Sequence, residues 1–401
     1  MQHGEDGVAI ARRGRRGAAE IRIHPAMRHR RAAPVKPAFR GRPRSCYARD
    51  TMTLLFDGRE VRARFAPGTP GRDAVIITFA GRQAEQSLDR AGFGEAFLER
   101  ASLPTIHVTV AWNHWYTVPE MAPALAAVRE AAAPFARRVA YGSSMGGYGA
   151  LLHSRALGAT RVVALSPRFS MDPAKVPFHR QHREEAARLD LSRDDMESGL
   201  STEATLILAA DTGHLDAGHL ALIRAASGGR ARLLALPFAG HPAAPFLQET
   251  RLLRDTALAL LLDPEPDLPV LRRRVRGARG ASASYWEAMS RRALRTGRDA
   301  LALRAATEAV AREPARSGCA AVAADALWRA GRHDEALREL RRAAALAECD
   351  QVALEALAHT CAAAAGPIAA LEAAIGTAPP APGLASLLAL LRRQQARRRP
   401  A

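Results

Sequence analysis

The stretch from Arg137 to Leu152 constrains the fold of this chain more than any other. It reads as a short apolar strand, Val139-Ala140-Tyr141, then a tight turn, then a helix. The turn holds Gly142-Ser143-Ser144-Met145-Gly146, a match to G-x-S-x-G. A serine on a sharp strand-to-helix turn sits in strained backbone, and bulky residues two positions to either side would clash. Glycine at both flanks removes that clash. The Ser144 hydroxyl then projects from the top of a sheet, with a helix N-terminus beneath it that favours developing negative charge. Gly147 and Gly149 let the helix pack close to the sheet.

The stretch resembles the nucleophile elbow of α/β-hydrolases. A serine hydroxyl is a weak nucleophile until a base takes its proton, and the base needs a third group to orient it. In that family the chain order is Ser, then Asp or Glu, then His. Here Ser144 is followed by Asp211 and Asp216, then by His241 in the loop Leu236-Pro237-Phe238-Ala239-Gly240-His241-Pro242. Histidines 107, 114, 153, 214 and 219 do not combine that order with the end of a strand. Asp211, directly at a strand end, is the acid expected to orient His241. Asp216 is the alternative, and capping of the helix after it is an ordinary role for aspartate. The resemblance implies an oxyanion hole built from the N–H of Met145 and an N–H near Gly81 or Arg82. The His-Gly-type motif of lipases is missing there, and the Arg82 side chain either meets an anionic substrate or is simply solvated. Asn113-His114-Trp115-Tyr116, just past a strand, either floors a pocket or packs in the core.

The rest of residues 52–262 fits an α/β fold: a mostly parallel sheet with helices on both faces. Met52–Phe56 and Arg59–Phe65 read as a hairpin around Asp57-Gly58. Continuous apolar runs at Asp73–Phe79, Leu103–Val110, Arg161–Leu165, Thr205–Ala210 and Arg230–Pro237 read as strands buried on both faces. Helices are expected at Pro119–Phe135, Asp216–Ala226 and Ala244–Leu262. Residues 168–200 are polar, and the resemblance implies a lid there.

Beyond Leu262 strand signals stop. Asp263–Pro269 is proline-rich, so residues 263–284 are expected to form a linker, loosely ordered over 270–284. Ala302-Leu303, Ala336-Leu337 and Ala370-Leu371 recur at 34 residues, preceded by Gly297, Gly331 and Gly366. Gly331–Leu340 resembles the turn and second helix of a tetratricopeptide repeat. Residues 285–400 are therefore expected to be a short helical array, degenerate in its first and third units, and the resemblance implies a protein partner in its concave face.

The formal net charge of +18 does not point to nucleic acid. The basic residues are almost all arginine, as a GC-rich bacterial genome encodes, with only Lys36 and Lys175 as lysines, and they are spread along the chain. Residues 1–51 read as a basic tail without apolar periodicity. No apolar run reaches membrane-spanning length. Cys46, Cys319, Cys349 and Cys361 form no C-x-x-C pair, which fits a reducing cytoplasm. The whole reading is a serine hydrolase acting on an acylated small molecule, an ester or thioester, with no metal or cofactor. An acyltransferase with the same three residues, or a catalytically silent scaffold, are the alternatives.

Overall fold

The computed structural model describes residues 52–83, 87–179 and 182–346. Eight strands form one sheet: β1 (Thr53–Asp57), β2 (Val61–Ala66), β3 (Ala74–Phe79), β4 (Thr105–Val110), β5 (Arg137–Ser143), β6 (Arg161–Leu165), β7 (Thr205–Ala210) and β8 (Arg232–Ala235). Their order is β1-β2-β4-β3-β5-β6-β7-β8. β2 runs antiparallel to β1 and to β4, and every other pairing is parallel. The helices of this part are α1 (Glu95–Arg100), α2 (Met121–Ala132), α3 (Met145–Leu152), α4 (Arg183–Ala186), α5 (Met196–Gly199), α6 (Asp216–Ala226), α7 (Ala244–Glu249) and α8 (Leu253–Leu262).

The apolar runs are continuous because both sheet faces are covered. Successive side chains of a strand point to opposite faces. Val75, Ile77, Phe79, Ala140, Val162, Ala164, Leu206 and Leu208 sink into one cluster with Leu125 and Val128 of α2, Tyr148 and Leu151 of α3, and Leu220 and Ile223 of α6. Their neighbours Ile76, Val139, Tyr141, Val163, Leu165, Ile207 and Ala209 sink into a second cluster, with Leu98 of α1, Leu247 of α7 and Leu260 of α8. This is the expected α/β architecture. The helix expected over 244–262 is broken into α7 and α8, because Arg251 adopts a left-handed φ of 59°.

Residues 168–200 are more deeply packed than their polar composition suggests. Met171, Val176, Ala186, Met196 and Leu200 join the first cluster. Asp194, almost fully buried, accepts hydrogen bonds from Tyr148 of α3 at 2.8 Å and from Ser170. That carboxylate fastens the segment to the elbow helix.

The stretch expected to be a loose linker is largely helix. After the proline-rich break comes α9 (Leu268–Ala278), started by the Asp267 side chain, which accepts from the N–H of Val270. Leu268, Leu271 and Val275 are spaced to share one face, and all three enter the second cluster beside the sheet. Arg161 at the start of β6 donates to the carbonyls of Leu260, Asp263 and Pro264, so the break itself is held down.

Among the described residues four more helices follow: α10 (Ala283–Arg295), α11 (Asp299–Arg312), α12 (Ser317–Arg329) and α13 (His333–Leu346). The starts of α10 and α12, and those of α11 and α13, lie 34 residues apart. Gly297 and Gly331, which follow α10 and α12, both take a positive φ that favours glycine. The third expected unit, with Gly366 and Ala370-Leu371, lies outside the described residues, as do residues 1–51 and Cys46, Cys349 and Cys361. Cys319 is a free, buried thiol. Among the described residues no helix is long and apolar enough to cross a membrane.

The helical region is joined to the sheet by polar and aromatic contacts. Glu249 of α7 accepts from Ser282, Ser284 and Arg316. Tyr285 of α10 meets Phe238, three residues before His241, edge to face at 5.8 Å. Ending the chain after Leu262 strips Leu268, Leu271, Val275 and Tyr285 from the second cluster. The truncated protein is expected to be insoluble or to melt well below the full chain. A soluble truncation with an unchanged melting temperature would show that residues 52–262 are self-sufficient.

Candidate active site

The site is built at the C-terminal ends of β3, β5, β7 and β8. Ser144 lies between β5 and α3 with φ 54° and ψ −115°, a conformation that side-chain-bearing residues rarely adopt. Its backbone is clamped at both sides: the N–H donates to Leu165 O at 2.9 Å, and its carbonyl accepts from Tyr148 at 3.0 Å. The glycines make the turn fit. A Cβ on Gly142 would lie 2.2 Å from the carbonyl oxygen of Gly146, and one on Gly146 would lie 2.2 Å from that of Phe79. Gly149 lets α3 approach the Tyr116 ring, where a Cβ would come within 2.5 Å.

Ser144 Oγ lies 2.9 Å from His241 Nε2. His241 Nδ1 lies 2.9 Å from Asp216 Oδ2. The other oxygen of Asp216, Oδ1, accepts from Arg168 Nη1 at 2.8 Å and lies 3.0 Å from His214 Nδ1. The His214 and His241 rings stack at 5.7 Å. Asp216 and Arg168 are essentially without solvent exposure.

The aspartate beside His241 is thus Asp216 and not Asp211. Asp211 ends β7, and its side chain is consumed in turning the chain. One oxygen accepts from Gly213 N–H at 2.8 Å and the other from Gly240 N–H at 3.1 Å. It holds the loop that carries His241 without touching the ring. Asp216, five residues later, opens α6, where the helix N-terminus favours its charge.

Burial pushes the Asp216 carboxyl up, but His241, His214 and Arg168 together outweigh it and hold the group ionised, well below the usual carboxylate range. His241 moves the other way. Burial lowers it, Arg168 lowers it further, and Asp216 only partly restores it, leaving the ring at about 4.

The loop after β3 is fastened from two sides. Tyr116 Oη donates to the carbonyl of Ala80 at 2.6 Å. A trans peptide points its C=O and N–H in opposite directions, so the N–H of Gly81 faces away from Tyr116. Asn113 Oδ1 accepts from Gln83 N–H at 3.0 Å, and Asn113 Nδ2 donates to Gln83 O at 2.8 Å. The 113–116 stretch is therefore core that shapes this loop, and both Trp115 and Tyr116 take positive φ. Arg82 does not reach for a ligand: its Nε donates to Glu185 of α4 at 2.9 Å, and Glu185 also accepts from Trp115 Nε1 at 2.5 Å. Met145 is the first residue of α3, so its N–H has no partner within that helix.

Four further histidines among the described residues are held by contacts outside the site. His107 meets Thr78 at 2.7 Å inside the sheet, His114 meets Glu60 O at 3.2 Å, His153 meets Tyr116 O at 3.0 Å, and His219 accepts from Phe169 N–H at 3.1 Å. His214, Asp216 and His241 lie close enough for their ligand atoms to share a metal ion. Arg168 makes this a poor set, since it already puts a cation on Asp216 and would repel a second. Arg168 itself carried no sequence signal, being one arginine among many, three residues past the end of β6.

No protein-family model matches the chain, and no curated protein does. Solved structures do resemble it. A capsule O-acetyltransferase of Neisseria meningitidis serogroup A is 13% identical, with 52% of this chain and 94% of that one covered and a TM-score of 0.37. XC6422 from Xanthomonas campestris, described as an α/β serine hydrolase without a lid, is 14% identical over 56% and 93% of the two chains, with a TM-score of 0.34. The Gap123 glycosylation-associated complex of Streptococcus agalactiae is 15% identical over 53% and 47%, with a TM-score of 0.42. These are likenesses of fold alone.

The turn's tolerance for side chains can be measured directly. Gly146→Ala forces a methyl against the Phe79 carbonyl and is expected to cost about 3 kcal/mol or more in chemical denaturation. Gly277→Ala, in α9 with open space around it, is expected to stabilise by about 0.5–1 kcal/mol. Equal effects at the two positions would contradict the close approach at the elbow.

Proposed function

We propose that the protein is a serine hydrolase that cleaves an ester or thioester through an acyl-enzyme on Ser144. The observation that carries this reading is the unbroken line from Ser144 Oγ to His241 Nε2 and from His241 Nδ1 to Asp216 Oδ2, each step 2.9 Å. Ser144 Oγ attacks the acyl carbon while His241 Nε2 takes its proton. Asp216 accepts the hydrogen bond of His241 Nδ1–H and steadies the imidazolium that forms. The charge on the tetrahedral oxygen is met by the N–H of Met145 and by an N–H of the Gly81–Arg82 loop. His241 then gives its proton to the departing alcohol or thiol. Water repeats the sequence on the acyl-enzyme, with His241 as base, and releases the acid. No step in this scheme needs a metal or cofactor.

The helical region enters the proposal through its repeat. The 34-residue recurrence of helix starts supports a short tetratricopeptide-like array, which would recruit a protein segment. In that division of labour the sheet half supplies the chemistry.

The reading is tested with short p-nitrophenyl esters. Ser144→Ala and His241→Ala are each expected to lower kcat by roughly 10³-fold or more, since the members act as a unit. Asp216→Asn is expected to lose far more turnover than Asp211→Asn, with folding of each checked by circular dichroism. Equal, small losses at both aspartates would remove Asp216 from the mechanism. Adding a simple alcohol should leave free acid as the main product. Ester as the main product would make the enzyme an acyltransferase instead.

A further inference from the structure

We propose that Arg168 is a positioning residue of this site: it holds one oxygen of Asp216, aims the other at His241, and keeps His241 neutral so that the base works in acid. The inference rests on reading Ser144, His241 and Asp216 as a catalytic relay. The geometry is a buried guanidinium 2.8 Å from Asp216 Oδ1, with His241 2.9 Å from Oδ2 of the same carboxylate. Arg168 is 1% exposed and, among the described residues, Asp216 is its one carboxylate within ion-pair distance.

Counting charge shows what the arginine does. A buried Asp–His pair alone carries −1, and protonating the histidine brings it to zero, which a low-dielectric site favours. With Arg168 on the aspartate the group starts at zero, and protonation takes it to +1. Protonation of His241 then builds a second cation against a carboxylate already matched by the first. The groups facing His241 reinforce this. Asp216 bonds it directly, the Asp211 carboxylate lies on the N–H of the neighbouring Gly240, His214 stacks on its ring, and Arg168, His179 and His219 add positive or neutral surroundings. His219 and His179 are themselves held neutral, by burial first and by Arg168 next.

Two consequences follow for the reaction. The acid limb of kcat/KM should follow His241 down from the ordinary 6.5 towards about 4. The imidazolium formed during turnover is also a stronger acid, and so a better proton donor to a departing alkoxide.

The experiment is an NMR titration of the His241 ring, assigned by its loss in His241→Gln, in parallel with kcat/KM against pH on a p-nitrophenyl ester. Wild type, Arg168→Met and Arg168→Lys are compared. Arg168→Met is expected to raise the ring midpoint by about one pH unit or more, a tenfold gain in proton affinity, and to carry the acid limb with it. Arg168→Lys keeps the charge and should stay close to wild type. A wild-type ring that titrates near 6.5 overturns the proposal even if neither variant folds, as does an Arg168→Met midpoint equal to the wild type's. Turnover combined with an ordinary midpoint removes the role of Arg168 and leaves the hydrolase reading intact. A low midpoint without any ester turnover removes the hydrolase reading and keeps the hold of Arg168 on His241.

Discussion

The structure depends on one close backbone approach. The turn after β5 passes so near the end of β3 that no side chain fits at Gly146, and it folds back on itself so tightly that none fits at Gly142. That approach forces Ser144 into a positive φ, which two backbone hydrogen bonds and the packing of α3 hold in place. The strained residue is the one whose hydroxyl faces His241. The same approach sets the loop after β3 beside the first turn of α3. Tyr116 and Asn113 then fix that loop from behind. The strain is local, and the surrounding apolar clusters on both sheet faces over-determine it.

A second constraint is electrostatic. Asp216 has no solvent to screen it, and it is matched by three nitrogen-bearing side chains: Arg168, His214 and His241. Burying a carboxylate is tolerated only when its charge is answered and its oxygens are bonded. Here His241, His214 and a buried arginine supply that answer together. The basic composition of the chain thus has one position where a positive charge bears directly on the site.

Much of this was legible in the sequence, and the reasons are physical. Apolar runs and glycine spacing report directly on strands and on the elbow, so all eight strands and the position of Ser144 could be read. His241 was legible because it follows the last strand. The aspartate was not. Asp211 and Asp216 both follow β7, and the choice between them depends on side-chain direction: one bends back to bond Gly213 and Gly240, the other points from the start of α6 to the ring. Arg168 was invisible for a related reason, since burial of one arginine is a property of packing and not of composition. The proline-rich stretch misled because proline marks a chain break without saying how far the break extends. Asp267 restarts a helix at once, and Leu268, Leu271 and Val275 return it to the sheet.

Everything proposed for this site requires that Ser144 be activated by the groups around it. Reaction with a fluorophosphonate, followed by peptide mapping, tests this most directly, because such a probe is attacked only by an activated serine. One adduct per chain is expected, on the peptide that carries Ser144, formed in the wild type and absent from Ser144→Ala. An adduct on another residue, or a folded wild-type protein that never reacts, would contradict it.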